Sequence, residues 1–440
     1  MSVTLYKLFV KTRQYIVPHF KTVIISAGLQ TRTITAMSVA TEKSDSNESE
    51  ILRNKDSTRY KRRWKRPWED PKPEREDGEE DEKKTRSENG ERIKRKKMAM
   101  LLGYCGADYF GMQRNPGVKT IEEDLLKALF DAKYITEDDY NNQQNAQFQR
   151  SSRTDKGVSA ARQVVSLKLP LEMSLDEINN RLPECIRVFG VKRVTNKFNS
   201  KIKCNARTYS YTLPTYVFEA NAITPEDRKA YRVTEEKKEK VKSILSVYTG
   251  TKCYHNFTEK KHFQDPSASR YMMGFELNRL FIHSDMEFAV LLVKGQSFMI
   301  HQIRKMVGLT IAIARGYTDM STMQKAFTKD KVMMPTAPGL GLVLDKVHYD
   351  RYAAKHKGSH DSLTWDEEEP KVMKFIEEHI HPYIVKSEIE TDNMGQWIEM
   401  KLNNHSYEPA EDIVCETETT DGQKETDNDS DDESGENSKE

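Results

Sequence analysis

Asp155 is the main candidate for a reactive side chain in this 440-residue sequence, and it lies in the polar segment 153–157. In residues 163–169, which follow shortly after, apolar and polar types alternate, and this pattern predicts a strand. Thr-Asp-Lys-Gly also favours a turn, because Asp hydrogen-bonds to its own backbone and Gly accepts positive φ. Spacing alone favours the turn and leaves open whether the carboxylate also reacts.

Two tyrosines form a second candidate feature. Tyr209 and Tyr211 lie on the same face of a predicted strand at 206–213, since side chains alternate along a strand. Such a pair is most often part of the core, with the hydroxyl groups reaching its rim. Near a nucleic acid, one of the rings could instead stack on a base. Both interpretations stay open.

A long predicted helix at 301–316 carries basic side chains beside an apolar stripe. His301 and Arg304 share one face, while Ile303 and Val307 lie on the neighbouring face. This is the pattern of an ordinary surface helix. Such a helix would also hold the Arg304 guanidinium at a fixed distance from the surface against which the helix packs.

The sequence lacks the motifs of nucleotide-binding enzymes and of zinc proteases. It contains no G-x-x-x-x-G-K-[ST] phosphate loop and no H-E-x-x-H pair. Residues 338–341 carry two glycines without a third at the dinucleotide spacing, so they predict a turn. His379 and His381 have no third ligand at a suitable spacing. We therefore predict neither a nucleotide cofactor nor a metal site.

The elements that must position these residues follow one order twice. In the first half the order is β-α-β-β-α-β, which is the ferredoxin-like arrangement. Both helices are predicted to begin with a capping box, Thr120 with Glu123 and Ser174 with Glu177. The predicted elements are strand 98–106, a helix from Thr120, strands 147–151 and 163–169, a helix from Ser174 that ends before Pro183, and strand 186–194.

The second half predicts the same order. Its elements are strand 206–213, helix 235–250 with strands 270–280 and 287–295, helix 301–316 with Gly316 as its end, and strand 341–349. The predicted fold class is α+β, with two ferredoxin-like halves side by side and a cleft between them. Such halves bury one sheet face and leave the other open, and open faces of this kind recur in RNA-binding proteins. The fold alone does not define a function.

Composition divides the chain into six predicted segments. Two helical apolar stripes, one from Val372 to Ile380 and one from Met394 to Leu402, predict packing helices after the second half. The tail is rich in Asp, Glu and Ser and has almost nothing to bury, so we predict that it is disordered. The segments are a transit-like segment 1–41, a charged linker 42–92, the halves 93–200 and 201–350, a helical extension 351–407 and an acidic tail 408–440.

The amino-terminal segment predicts two destinations. Residues 1–41 contain no Asp or Glu and intersperse Lys and Arg with apolar and hydroxyl residues, which is typical of a mitochondrial transit peptide. Met37 could start a shorter product that keeps the basic cluster 61–66, which is of the nuclear-import type. We therefore predict localisation to mitochondrion and nucleus. The alternative is a nonspecific basic terminus.

The distribution of charge is compatible with a polyanionic partner, and the length of the apolar runs argues against a membrane-spanning segment. A net charge of +1 hides a segregation of acidic tails from basic runs such as 92–97 and 257–262. Solvated surface lysines are the alternative explanation. Five cysteines without a C-x-x-C pair fit a reducing compartment. No apolar run is long enough to span a bilayer.

Several motifs, in order, resemble those of the tRNA pseudouridine synthase A family. Met112 stands where bacterial members usually carry Trp, which places the resemblance nearer the eukaryotic branch. The matching segments are "GYCGADYFGMQRN" (103–115), "RTDKGVSA" (153–160), "ARTYSY" (206–211), "KGQSFMIHQIRKMVG" (294–308) and "APGLGLVLDKVHY" (337–349).

The resemblance implies that uridine in RNA is isomerised to its C5-glycoside without a cofactor. Asp155 would be the catalytic carboxylate, and Arg153 would fill the vacated stack or hold a phosphate after the nucleotide is flipped out. Arg304 would pair with Asp155 and favour its charged form. Tyr209 would stack on the flipped base, and Leu342 would pack beneath the ring.

The implied substrate is tRNA, at uridines near the top of the anticodon stem, with messenger RNA and small nuclear RNA as further candidates. The helical extension favours a monomer. A non-catalytic RNA-binding module is the rival interpretation, and it could have lost Asp155, Tyr209 or Arg304. All three are present. A dehydrogenase is a third interpretation, but its phosphate loop is missing.

Overall fold

The computed structural model describes residues 94–408, with the exception of residue 223. The predicted transit-like segment 1–41 with Met37, the linker 42–92 with its basic cluster, and the acidic tail after residue 408 lie outside the described residues. None of the helices in the described part combines the length and the apolar composition needed to cross a bilayer.

Within this range one nine-stranded sheet forms the centre of the molecule. The strands are β1 (Arg95–Tyr104), β2 (Gln149–Arg150), β3 (Ser159–Pro170), β4 (Ile186–Arg193), β5 (Ala206–Pro214), β6 (Gly250–Cys253), β7 (Ser269–His283), β8 (Met286–Gly295) and β9 (Leu342–His348). The central strands β1 and β3 are buried at almost every position, so both of their faces are covered.

The helices lie between the strands and after β9. They are α1 (Ile121–Asp131), α2 (Glu137–Asn141), α3 (Leu175–Asn179), α4 (Ser200–Lys203), α5 (Pro225–Ala230), α6 (Glu235–Ser246), α7 (Gln302–Arg315), α8 (Met320–Lys325), α9 (Asp350–Lys355), α10 (Glu369–Phe375), α11 (His381–Thr391) and α12 (Asn393–Trp397). Two π-helical turns, Ile376–Ile380 and Ile398–Leu402, continue α10 and α12.

The sheet joins the two sequence halves through a parallel pair at its centre. The strand order is β4-β1-β3-β9-β5-β8-β7-β6, and β2 pairs with β3. All the pairings are antiparallel except β3 with β9, where Ser159 lies opposite Val343. Parallel strands begin at the same edge of a sheet. The residues just before β3, including Asp155, therefore lie near Leu342 at the start of β9.

The predicted α+β class is confirmed as a large, mostly antiparallel sheet with helices. Strand and helix predictions mostly match, and Gly316 ends α7 with φ at 82°. The capping box predicted at Thr120 is wrong, because the Glu123 carboxylate instead accepts hydrogen bonds from Arg114 and Tyr140. Residues outside the helix therefore bind the carboxylate that the capping box would have used.

The second predicted capping box is half formed. The Ser174 hydroxyl accepts a hydrogen bond from the backbone N–H of Glu177 at 3.3 Å. The Glu177 carboxylate does not return to the Ser174 backbone, because it accepts a hydrogen bond from the Tyr134 hydroxyl at 2.6 Å. The helix then ends at Asn179, earlier than the predicted end at Pro183.

The predicted packing helices of the extension are confirmed. The residues of both apolar stripes are buried, and Phe375 meets Phe189 of β4 edge-on with ring centroids 5.6 Å apart. Arg162 of β3 fastens the extension to the sheet. Its guanidinium lies 3.0 Å from the Asp345 carboxylate of β9 and also pairs with Glu369 of α10. One cation thus ties both central strands to the extension.

We expect Arg162→Met to lower the free energy of unfolding by about 2 kcal/mol, because it leaves two carboxylates without their cation. The loss is below that of a fully buried pair, since the Asp345 and Glu369 side chains keep 30% and 40% exposure. Urea unfolding would measure it. Lys386→Met removes an exposed ion pair with Glu390 and serves as the control, with an expected change below about 0.5 kcal/mol. Equal losses in the two variants would contradict the role of Arg162.

Candidate active site

A cleft of about 950 Å³ opens where β3 and β9 begin. Among the described residues that line it, Asp155 is the single acidic side chain. The basic side chains are far more numerous, and electrostatic attraction between them and a bound anion is least screened inside such a concave site. They are Arg114, Arg150, Arg153, Lys156, Lys201, Arg207 and Arg304.

Asp155 lies at the first corner of a tight turn. The backbone N–H of Val158 donates to the Asp155 carbonyl at 3.1 Å, and Gly157 has φ at 76°. Asp155 is exposed and lines the cleft. The turn predicted from the sequence is confirmed, and the same turn presents the carboxylate to the cleft. The two interpretations of this residue are therefore compatible.

The segment between Tyr104 and Met112 holds this turn from behind. The Met112 N–H donates to the Thr154 carbonyl at 3.2 Å, and the Gly157 N–H donates to the Tyr109 carbonyl at 3.0 Å. The Tyr104 and Thr154 hydroxyls share a buried hydrogen bond of 2.9 Å. Backbone bonds on both sides of Asp155 thus fix the position of its Cα.

Two glycines allow this approach. A Cβ at Gly111 would lie 2.5 Å from the Thr154 carbonyl oxygen, and one at Gly106 would lie 2.4 Å from the Val158 carbonyl oxygen. Gly111 also has φ at +103°, which L side chains rarely adopt. Met112, where bacterial relatives were expected to differ, is fully buried beside this contact.

The two tyrosines of β5 have different environments. Tyr209 lines the cleft, its hydroxyl lies 2.9 Å from the Ser152 hydroxyl, and its ring meets Phe298 edge-on. Burial raises the pKa of Tyr209, so the phenol stays protonated. Tyr211 is core, and its hydroxyl donates to the Pro338 carbonyl at 2.6 Å. Tyr211 thus fits the core interpretation, whereas Tyr209, which is also buried, lies at the wall of the cleft.

Arg304 lines the cleft, but its expected ion pair with Asp155 is not formed. No contact within 4.0 Å joins these two described side chains. Instead Nε of Arg304 donates to the Ala337 carbonyl at 2.7 Å, in the loop that precedes β9. The Ala337 N–H donates in turn to the Arg304 carbonyl at 3.2 Å, so two hydrogen bonds join this loop to α7.

Arg153 and Leu342 also line the cleft. Arg153 is exposed, whereas Leu342 keeps 8% exposure at the start of β9. Leu342 follows Gly341, where a Cβ would lie 2.0 Å from the Thr212 carbonyl oxygen. The sequence-predicted residues Arg153, Asp155, Tyr209, Arg304 and Leu342 therefore all come together in one cleft.

Sequence reasoning missed Phe110 and two structural arginines of the cleft. Arg207 donates to the Ser151 carbonyl at 2.6 Å, and Arg150 pairs with the fully buried Glu122. An acidic residue within the apolar stripe of α1 is the signal that could have indicated the second pair. No cluster of three or more metal-ligating side chains occurs in the part of the chain that the structure describes.

Comparison with known proteins gives a consistent assignment. The family model described as tRNA pseudouridine synthase matches residues 244–350, a range that includes Arg304 and Leu342. The chain is 45% identical over 336 residues to the mouse protein named pseudouridylate synthase 1 homolog, covering 75% of this chain and 78% of the relative. The human protein of the same name is 46% identical over 316 residues, covering 70% and 74%.

A fungal relative extends the comparison. The Candida glabrata protein named tRNA pseudouridine synthase 1 is 32% identical over 383 residues, covering 69% of this chain and 70% of the relative. Identity of this extent, together with the cleft in which the matching motifs meet, identifies the family. The chain belongs to the tRNA pseudouridine synthases, isomerases that convert uridine in tRNA to pseudouridine.

Proposed function

We propose that the cleft takes up a uridine flipped out of a tRNA stem and that Asp155 carries out the chemistry on its sugar. The observation that carries this proposal is the placement of one exposed carboxylate among seven basic side chains. Phosphates neutralise such a lining when RNA binds, whereas the carboxylate has no role in binding a polyanion. Its presence there points to chemistry.

The basic residues divide into supports and candidate phosphate ligands. Arg114 and Arg150 are already paired with Glu123 and Glu122. Arg153, Lys156 and Lys201 form no ion pair with any acidic residue among those described, and they line the cleft. These three are the side chains best suited to hold RNA phosphates, because neither a carboxylate nor a backbone carbonyl, as at Arg207 and Arg304, competes for them.

The interior of the cleft suits a pyrimidine ring removed from its stack. Tyr209 offers an aromatic surface on one side, and Leu342 offers an aliphatic one at the start of β9. Arg153, on the exposed rim two residues before Asp155, would fill the space left in the stem or hold a flanking phosphate. Removing a base from a stem costs a few kcal/mol, and these contacts would offset that cost.

The reaction breaks the bond from N1 of uracil to C1′ and forms a bond from C5 to C1′. Asp155 would either attack C1′, giving a sugar adduct, or remove a proton from C2′, giving a glycal; both routes remain open. The detached uracil turns and C5 bonds to C1′; in the same step Asp155 leaves C1′ on the adduct route or returns its proton to C2′ on the glycal route. The C5 proton then leaves and N1 gains a proton. Atoms and electrons balance without an oxidant. The protonated phenol of Tyr209 could assist one proton movement.

We further propose that the sheet consists of two ferredoxin-like halves. The order β4-β1-β3 with β2 beside β3, and the order β9-β5-β8-β7, support two ferredoxin-like halves. The cleft would then lie between the halves. The extension supports a monomer, since α10 packs on β3 and β4. A dimer in sedimentation equilibrium would contradict that assignment.

The substrate range and the compartment are further parts of the proposal. We infer uridines near the top of the anticodon stem as targets, with messenger and small nuclear RNA as further substrates. The composition of residues 1–41 and the basic cluster 61–66 support mitochondrial and nuclear products.

Separate fluorescent tagging of the products started at Met1 and at Met37 should place the first in mitochondria and the second in the nucleus. The difference is expected because only the first product carries the transit-like segment. Imaging of cells expressing each product measures it. One shared compartment for both products would contradict dual targeting.

Asp155→Asn should lower pseudouridine formation in tRNA by about 10³-fold or more, because the amide can neither attack nor remove a proton. Chemical mapping of pseudouridine would measure the product, and filter binding should show tRNA affinity within about threefold of the wild type, since the shape is kept. Asp131→Asn, at an exposed acid outside the cleft, is the matched control.

Two outcomes would contradict different statements. Equal product from Asp155→Asn and the wild type would remove Asp155 from the chemistry. No product from the wild type on any tRNA would favour the rival interpretation, an RNA-binding module without activity.

Gly111→Ala should lower the rate of product formation by about tenfold or more, because the new Cβ would displace the Thr154 carbonyl and with it Asp155. Single-turnover kinetics measures the change. Gly117→Ala is the matched control, since Gly117 also has positive φ, at +76°, but nothing lies within 4 Å of its Cβ position. Equal rates for both alanine variants would show that the close approach does not position the carboxylate.

A further inference from the structure

Phe110 is a large apolar side chain that is not buried in the core. It is 53% exposed, and it lines the same cleft as Asp155. Of the described large apolar residues with comparable exposure, Ile300 is the other one in the cleft lining. Apolar side chains exposed inside a groove, unlike those scattered singly over a surface, point to a contact with a ligand.

The backbone presents Phe110 in a fixed direction. Its neighbour Tyr109 is buried and donates to the Asp124 carboxylate at 2.6 Å, and Met112 is fully buried. The Phe110 N–H donates to the Lys119 carbonyl at 2.9 Å. With anchors on both sides, the aromatic ring is held out of the core without a flexible loop, and little ordering entropy is lost when a ligand binds it.

A cation accompanies the ring. The Nζ atom of Lys156 lies 4.4 Å from the Phe110 ring centroid, and Lys156 directly follows Asp155. The ring is thereby placed beside the turn that carries the carboxylate. An aromatic surface with an adjacent ammonium group matches the two parts of a nucleotide, because the base stacks and the phosphate is anionic.

We propose that Phe110 is a stacking platform for one nucleobase next to the flipped uridine, with Lys156 on the phosphate of that nucleotide. The inference rests on the proposed function and adds a specificity-determining residue to it. The platform favours an unpaired neighbour, since a base that remains in its stem cannot reach the ring. The enzyme would therefore select uridines whose neighbour is able to unstack.

Phe110→Ala should raise KM for a tRNA substrate by about tenfold, within the 5- to 150-fold range of single base–aromatic contacts, and leave kcat within about threefold. Phe110→Trp should restore the wild-type KM because it keeps an aromatic face, whereas Phe110→Leu should behave like the alanine variant. A purely apolar packing role would instead be rescued by leucine. Thermal unfolding of each variant checks that the fold is kept.

Phe263→Ala is the matched control. Phe263 is 44% exposed and does not line the cleft, so its truncation should leave KM unchanged. An equal rise of KM in Phe263→Ala and Phe110→Ala would overturn the proposal, because it would show a general effect of losing exposed aromatic surface.

Abasic substrates test the partner of the ring directly. Replacing the 5′ or the 3′ neighbour of the target by an abasic nucleotide should raise KM of the wild type about tenfold at one of the two positions. In Phe110→Ala the same replacement should add less than about twofold, because the contact is already lost.

The possible failures are distinguishable. Additive effects of the variant and the abasic nucleotide at both positions would overturn the stacking contact while the wild type still forms pseudouridine. Absence of pseudouridine with the wild type and an intact substrate would instead overturn the proposed function.

Discussion

The position of the Asp155 carboxylate depends on one close contact between two backbones. The segment from Gly106 to Gly111 touches the turn that carries Asp155 so closely that a single methyl group at Gly106 or Gly111 would meet a carbonyl oxygen at 2.4 or 2.5 Å. The Thr154 carbonyl and the Gly157 N–H are satisfied there, so the exposed turn has the rigidity of the sheet behind it. The remaining elements of the cleft are arranged around that fixed point.

The parallel pairing of β3 with β9 brings the second half of the chain to this point. It places Leu342 beside the start of β3, and β5 follows with Tyr209 opposite Leu344. Leu342 lies at the beginning of β9, whereas Tyr209 lies in the middle of β5, which runs antiparallel to β9. The cleft therefore results from sheet topology, and the glycine contact decides where the Asp155 carboxylate lies within it.

Local pattern was sufficient to predict most of the elements, whereas the residues that meet in the cleft were assigned to one site through the family resemblance. Alternation predicted the strands, and the end of α7 at Gly316 needs only a residue that tolerates positive φ. The predictions that were wrong concern side-chain hydrogen bonds whose partners are determined by the tertiary structure. Thr120 was expected to share a capping box with Glu123, but Arg114 and Tyr140 take that carboxylate. Phe110 was missed because its exposure depends on a loop whose neighbours are buried.

The missing ion pair between Arg304 and Asp155 has a chemical consequence. A carboxylate that is bound by a guanidinium is covered by it and is a weaker nucleophile and base. In the described structure the guanidinium of Arg304 is held by the Ala337 carbonyl, and Asp155 has no ion-pair partner within 4.0 Å. The carboxylate thus stays uncovered in the cleft, with seven basic side chains in the same lining. The N–H groups of Arg304 other than Nε make no other hydrogen bond among the described residues, so they are available to a bound nucleotide.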